Sequence, residues 1–140
     1  DNPIYDFSHA VERVTAAVEA ARSLKHDFVF TARAENFLHG RTDLDDTIRR
    51  LQAFEKAGAD VLYAPGITDM AMVRAICSSV SKPVNVLAVP GFTVAALAGA
   101  GAKRISLEKA SREILQDGSF EFSRDAMAFA SLQKMFSVSA

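Results

Sequence analysis

EKAGADVLYA at residues 55–64 and LAGAGAKRIS at residues 97–106 share one construction. In each, a helical tail runs into A-G-A-x, and a short apolar run follows. Glycine at a helix C-terminus supplies the left-handed residue that ends the helix, so each stretch reads as a helix handing over to a strand. Strand-like runs begin near residues 28, 60, 84 and 104, a β–α period of about 20 to 32 residues. Such alternation with short connections calls for right-handed crossovers and a parallel sheet, in a (β/α)8 barrel or a doubly wound arrangement.

The rest of the chain supports the same alternation. From Asp6 to Leu24 the apolar residues Phe7, Val11, Val14, Val18 and Ala21 recur at helical spacing, with Ser8 or Asp6 placed to accept from first-turn amides. FVFTA follows as a buried strand. TDLD at residues 42–45 matches a capping box ahead of Leu44, Ile48, Leu51 and Phe54. DVLYA is the next strand, Thr68 or Asp69 caps a helix bearing Met72, Val73, Ile76 and Val80, and Lys82-Pro83 closes it before VNVLA. Pro90-Gly91 makes a turn, Thr93 caps the next helix, and RISL is the fourth strand. The strands show little polar alternation, as expected of strands covered on both faces. Ala126, Phe129, Leu132 and Phe136 then share one face of a closing amphipathic helix. The 140 residues are read as one segment, with a leading helix over 1–24, four βα units over 28–107 and a helical region over 108–140.

Composition excludes several classes of function. Lys plus Arg number 16 against 17 Asp plus Glu, a net charge of −1, which leaves no footprint for nucleic acid or an anionic membrane. No apolar run approaches the roughly 18 residues a membrane span requires. The single Cys77 cannot form an internal disulfide, which suits a cytoplasmic setting, and on a helix it reads as a buried inert thiol. The chain opens on Asp without Met and reads as an excerpt of something longer.

Ligands in parallel α/β folds collect at the carboxyl ends of strands. The residues there are Arg33 to Asn36, Pro65-Gly66, Val89 to Gly91 and Glu108-Lys109, of which the first set is chemically rich. In FVFTARAE, Val29, Thr31, Arg33 and Glu35 share a face by period two. A guanidinium there can grip a carboxylate or phosphoryl group through two parallel hydrogen bonds. It can equally pair with Glu35, and the residues alone leave both readings open. Asn36 and His39 read as loop residues, and His9 and His26 as solvated. No histidine pair has metal spacing, and AVPGFT is a weak phosphate loop at best.

TARAENFLHGRTDLDDTIRRLQAFEKAGADVLYAPGI, with VSKPVNVLA and KRISL, resembles the isocitrate lyase and phosphoenolpyruvate mutase superfamily, especially its bacterial phosphonomutase-like branch. The resemblance implies an α/β fold of the (β/α)8 TIM-barrel family, of which these residues form about the C-terminal half. It implies a Mg2+-dependent lyase or mutase that cleaves or forms a C–C or P–C bond in a small 2-oxo or 2-hydroxy carboxylate through a pyruvate-type enolate. Arg33 in TARAE matches the family arginine that contacts the substrate's acid group, with Glu35 in a supporting role. The family's metal-binding acids and lid cysteine belong to earlier segments, so no metal ligand is assigned here, and Cys77 does not correspond to the lid cysteine. AVPGF lacks the Asn and the Thr or Ser of the lyase members, which points away from an isocitrate-like substrate.

The expectation is therefore one side of a site whose metal side lies upstream, in about as many residues again. The resemblance also implies a cytoplasmic homo-oligomer joined through the C-terminal helical region. A different class of function is a catalytically silent half-barrel used as an assembly or regulatory module. A third reading is an unrelated doubly wound fold binding a phosphorylated ligand at the helix starts of Thr93 or Thr68.

Overall fold

Helix starts and stops in this chain are set by a few side chains and two glycines. The computed structural model describes residues 3–89 and 91–106. In order these form α1 (Phe7–Arg22), β1 (Thr31–Arg33), a 3-10 turn (Phe37–His39), α2 (Leu44–Lys56), β2 (Val61–Tyr63), α3 (Met70–Ser79), β3 (Val84–Leu87), α4 (Val94–Gly99) and β4 (Arg104–Ser106). The helical region expected over 108–140, its amphipathic face, its role in oligomers and Glu108-Lys109 all lie outside the described residues.

Thr93 Oγ1 accepts from the Ala96 amide at 3.1 Å, as its sequence position suggests. Asp69, rather than Thr68, caps α3, accepting from Ala71 and Met72 at 2.6 and 3.1 Å. The cap of α2 lies one residue beyond the expected box. Asp43 accepts from the Asp46 amide at 2.9 Å, because a carboxylate at that position meets the third helical amide and Thr42 stands outside the helix. Asp6 takes the N-cap position of α1 without a side-chain hydrogen bond.

The A-G-A-x repeat is a repeated piece of backbone geometry. Gly58 and Gly101 both have φ of +99°. The amide of Ala59 then reaches back to Phe54 O at 3.1 Å, and the amide of Ala102 to Leu97 O at 3.1 Å, the six-to-one bond of a Schellman cap. In both copies the fourth residue of the repeat joins the sheet: Asp60 N donates to Phe30 O at 3.0 Å and Lys103 N to Val84 O at 3.1 Å.

The sheet is parallel with order β1-β2-β3-β4. A doubly wound sheet reverses its strand order; this one does not, so the right-handed crossovers place every helix on one face. The core confirms it. Ala32, Ala34, Leu62, Ala64, Val84 and Val86 pack with Leu51 and Phe54 of α2, Val73 and Ile76 of α3 and Leu97 of α4, while Val11 and Val14 of α1 pack against the same cluster. The opposite face carries no helix among the described residues, so the expectation of strands covered on both faces holds there only for the helix side. Sequential order with one-sided helices is the architecture of a (β/α)8 barrel wall.

β1 begins at Thr31 instead of Phe28. Phe28 and Val29 are exposed, and the entry to this strand is held at Phe30 by backbone bonds to its carbonyl and by side chains. The Phe30 amide donates to Asp60 Oδ2 at 2.8 Å, and Arg22 donates to Phe28 O, Gly58 O and Asp60 Oδ1. These bonds, Arg22's first and the Phe30 amide's second, hold the Asp60 carboxyl below its usual pKa. No described helix is long and apolar enough to cross a membrane.

The repeat predicts a contrast between a capping glycine and a helical one. A Cβ at Gly58 would sit at positive φ and 3.0 Å from Val18 Cγ1, whereas Gly99 has no positive φ and nothing within 4 Å of its Cβ position. Gly58→Ala should cost about 1–2 kcal/mol and Gly99→Ala should be neutral or stabilising by up to about 1 kcal/mol. Urea denaturation of both variants checks this, and equal effects would contradict the cap geometry.

Candidate functional site

The helix-free face of the sheet carries one row of residues in register across all four strands. Arg33 pairs with Tyr63, Tyr63 with Asn85, and Asn85 with Arg104. Residues paired across parallel strands point to the same side, so this row shares a face with Thr31, Val61, Leu87 and Ser106 and opposes the apolar core.

Arg33 closes β1 and Glu35 follows as the chain turns out of the sheet. The two come together: Arg33 Nε lies 2.7 Å from Glu35 Oε1, with both side chains partly exposed. The Arg33 guanidinium carbon also lies 5.2 Å from the centroid of the Tyr63 ring, a cation–π contact. The ion pair and the anion grip, which the sequence set against each other, are geometrically compatible. Glu35 uses the Nε side, and the terminal Nη nitrogens have no partner among the described residues, so one edge of the fork is left for a ligand.

At the other end of the row, Arg104 Nη1 donates to Asn85 Oδ1 at 2.8 Å, and Asn85 Nδ2 donates to Ser106 Oγ at 3.2 Å. Asn85 is 2% exposed. Tyr63, Asn85, Arg104 and Ser106 do not stand out in the sequence, because VNVL and RIS read as apolar runs. The signal was there: a polar residue inside VNVL, and Arg104 and Ser106 spaced by two.

The loop leaving β1 is anchored from behind. Asn36, expected in a free loop, is 1% exposed. Its Nδ2 donates to Asp46 Oδ2 at 2.8 Å, and Arg50 Nε donates to the same oxygen at 2.7 Å. Arg49 takes Asp46 Oδ1 at 2.5 Å, and Arg50 Nη1 reaches Tyr5 O at 3.0 Å, tying the N-terminal segment to α2. Burial alone would raise the Asp46 pKa, but the hydrogen bonds from Arg50, Arg49 and Asn36 outweigh it and bring the value down from 3.8 to about 2.

The remaining candidates lie elsewhere. His39 is exposed in the 3-10 turn, and His9 and His26 are exposed on and after α1. Cys77 lies on α3 with its thiol pushed up by burial, Lys103 drawing it the other way, which agrees with an inert side chain. Among the described residues no three His, Cys, Asp or Glu side chains gather to hold a metal ion.

Comparison with known proteins places this geometry. The sequence profile of the phosphoenolpyruvate phosphomutase family matches residues 1–120. The 2-methylisocitrate lyase of Escherichia coli (strain K12) is 38% identical over 74 residues, 53% of this chain and 24% of that protein. A lyase/mutase candidate from Burkholderia cenocepacia J2315 superposes with a TM-score of 0.74 at 43% identity, over 98% of this chain and 55% of that one. 2,3-Dimethylmalate lyase, of the phosphoenolpyruvate mutase/isocitrate lyase superfamily, shares the fold with a TM-score of 0.67 at 21% identity, over 96% of this chain and 56% of its own. The chain thus spans about half the length of these solved structures, and a smaller share of the lyase.

The Asp46 cluster makes stability depend on acid. Because its folded pKa lies below the unfolded value, its contribution is complete above about pH 4 and is lost as pH falls toward 2. After solvent screening it amounts to about 1 kcal/mol. Asp46→Asn should be less stable than the parent at pH 7, with the gap closing between about pH 4 and 2. Denaturant titrations across that range measure it; a gap independent of pH would contradict the assignment.

Proposed function

The chain belongs to the phosphoenolpyruvate phosphomutase family, and from that premise we propose that it supplies the substrate-gripping side of a lyase or mutase. The reaction is the making or breaking of a C–C or P–C bond in a small 2-oxo or 2-hydroxy carboxylate. The observation that carries the proposal is Arg33. It stands at the carboxyl end of a parallel strand, with its Nε held 2.7 Å from Glu35 and its guanidinium carbon 5.2 Å from the centroid of the Tyr63 ring.

In this reading the free Nη edge of Arg33 binds the acid group of the substrate end-on through two charge-assisted hydrogen bonds. Glu35 fixes the rotation of the guanidinium, and Tyr63 backs it. A pyruvate-type fragment held by its carboxylate keeps its carbonyl at a constant position, which is the positional requirement for forming an enolate. Asn36, locked to Asp46, holds the loop from which Glu35 projects.

Phosphonopyruvate hydrolase, a neighbour with a TM-score of 0.61 and 20% identity, was solved with oxalate and Mg2+. A bound Mg2+ would stabilise negative charge on an enolate oxygen. The described residues do not form a ligand set for it, so such an ion would be held by residues outside those described. The proposal also places the protein in the cytoplasm as a homo-oligomer.

Arg33→Lys keeps the charge and loses the fork. Losing two charge-assisted hydrogen bonds should lower kcat/KM of the full-length gene product by about 100-fold or more, and Arg33→Ala should abolish turnover. The melting temperature should move by no more than about 2 °C, since Arg33 is half exposed. Turnover assays on 2-oxo and 2-hydroxy diacids measure this, and full activity in Arg33→Ala would refute the grip.

A further inference from the structure

The grip at Arg33 uses the ring of Tyr63 and not its hydroxyl. Tyr63 closes β2 at its carboxyl end and is the register partner of Arg33 on one side and of Asn85 on the other. Its surroundings do not depend on a sheet edge, because β2 is paired along both sides. The residue is only 8% exposed. Arg33 covers its ring from β1, with the guanidinium carbon 5.2 Å from the ring centroid. Asn85, tied to Arg104 and Ser106, stands on the β3 side. The ring therefore has little room to turn.

Side chains on strands stand roughly perpendicular to the sheet, so Tyr63 and Arg33 rise side by side from strands about 4.8 Å apart. The two side chains are of similar length. The phenol oxygen, about 3 Å beyond the ring centroid, is thus brought to the level of the guanidinium, on the order of 5–6 Å from its carbon. Glu35 takes the Nε side of Arg33, and the Nη edge takes the acid group of the ligand in the proposed grip. A carboxylate on that edge lies about 4 Å from the guanidinium carbon, which brings the oxygen on the next carbon of a 2-oxo or 2-hydroxy acid toward the Tyr63 hydroxyl. A ring that served only to back the guanidinium could be phenylalanine. Phenylalanine would make the same cation–π contact and would spare the cost of burying a hydroxyl.

We infer that Tyr63 is a catalytic residue whose hydroxyl donates a hydrogen bond to the oxygen at C2 of the substrate. The inference rests on the proposed grip at Arg33 and adds to it the group that reads the 2-oxygen. A phenol donates one hydrogen bond and here keeps its proton. As an enolate forms, negative charge grows on that oxygen and the bond strengthens, which lowers the barrier with no transfer of the proton.

The experiment measures binding of pyruvate, and of propionate as its counterpart without the 2-oxygen, to the full-length gene product. Calorimetry at pH 7 in EDTA keeps metal ions from contributing. The parent should bind pyruvate at least about fivefold more tightly than propionate. Tyr63→Phe keeps the ring and should bring that ratio close to one, with propionate binding unchanged and the melting temperature within about 2 °C. The kcat/KM for a diacid turned over by the parent should fall by a larger factor than the pyruvate affinity. A pyruvate preference that persists in Tyr63→Phe overturns the inference. So does an equal loss for both ligands, no preference in the parent, or a kcat/KM loss no greater than the loss of affinity. Arg33→Ala separates the two proposals: weaker binding of both ligands there upholds the grip even where Tyr63→Phe changes nothing, whereas unchanged binding of both removes the grip and this inference together.

Discussion

Two of the four strands on this sheet depend on how a helix is turned into a strand. At Gly58 and Gly101 the backbone takes a left-handed conformation that residues with a Cβ adopt at a cost, and the six-to-one hydrogen bond behind each glycine directs the next residues into the ladder. Side chains along a strand alternate, so a displacement of one residue there would exchange the two faces of the strand. Arg104 would turn toward Leu97 and Val84, and Ile105 toward solvent. On β2 and β4 the cap geometry is thus what keeps Leu62 and Ile105 toward the helices and Tyr63 and Arg104 on the open face.

That division explains how one sheet serves two purposes. On the helix side Ala32, Leu62, Val84 and Val86 meet Leu51, Phe54, Ile76 and Leu97 in a continuous apolar layer, the part that makes the unit fold. On the other side Arg33, Tyr63, Asn85 and Arg104 are held rigidly by the same strands. Groups carried on strands are better placed than groups on loops, because the ladder leaves their backbones little freedom. The loop leaving β1 gains comparable order from Asp46, which gathers Asn36, Arg49 and Arg50 on one carboxylate.

Much of this was legible in the residues. The repeated A-G-A-x, the capping threonine at 93 and the apolar spacing of α2 and α3 are local signals, and each produced the element it announced. The candidate site was half legible: Arg33 and Glu35 share a strand face by simple alternation, so their meeting followed from spacing two. Asn85 and Arg104 are 19 residues apart, and only strand pairing brings them together. Asn36 misled in the same way, since nothing in ENFLHG says that Asp46, ten residues on, will bury its amide.

The four helix-to-strand connections separate the two kinds of information. Those after α2 and α4 are written locally, in a glycine whose missing Cβ permits the turn, and the sequence by itself determined them, together with the alternation of elements and the parallel sheet. Those after α1 and α3 have no such glycine. The first is held by Arg22 reaching Asp60, 38 residues away, and the second by the Glu55 carboxylate taking the amides of Ser81 and Lys82, 26 and 27 residues away. Only the tertiary structure decided these, and with them where β1 begins, because a long-range hydrogen bond has no partner until the chain has folded.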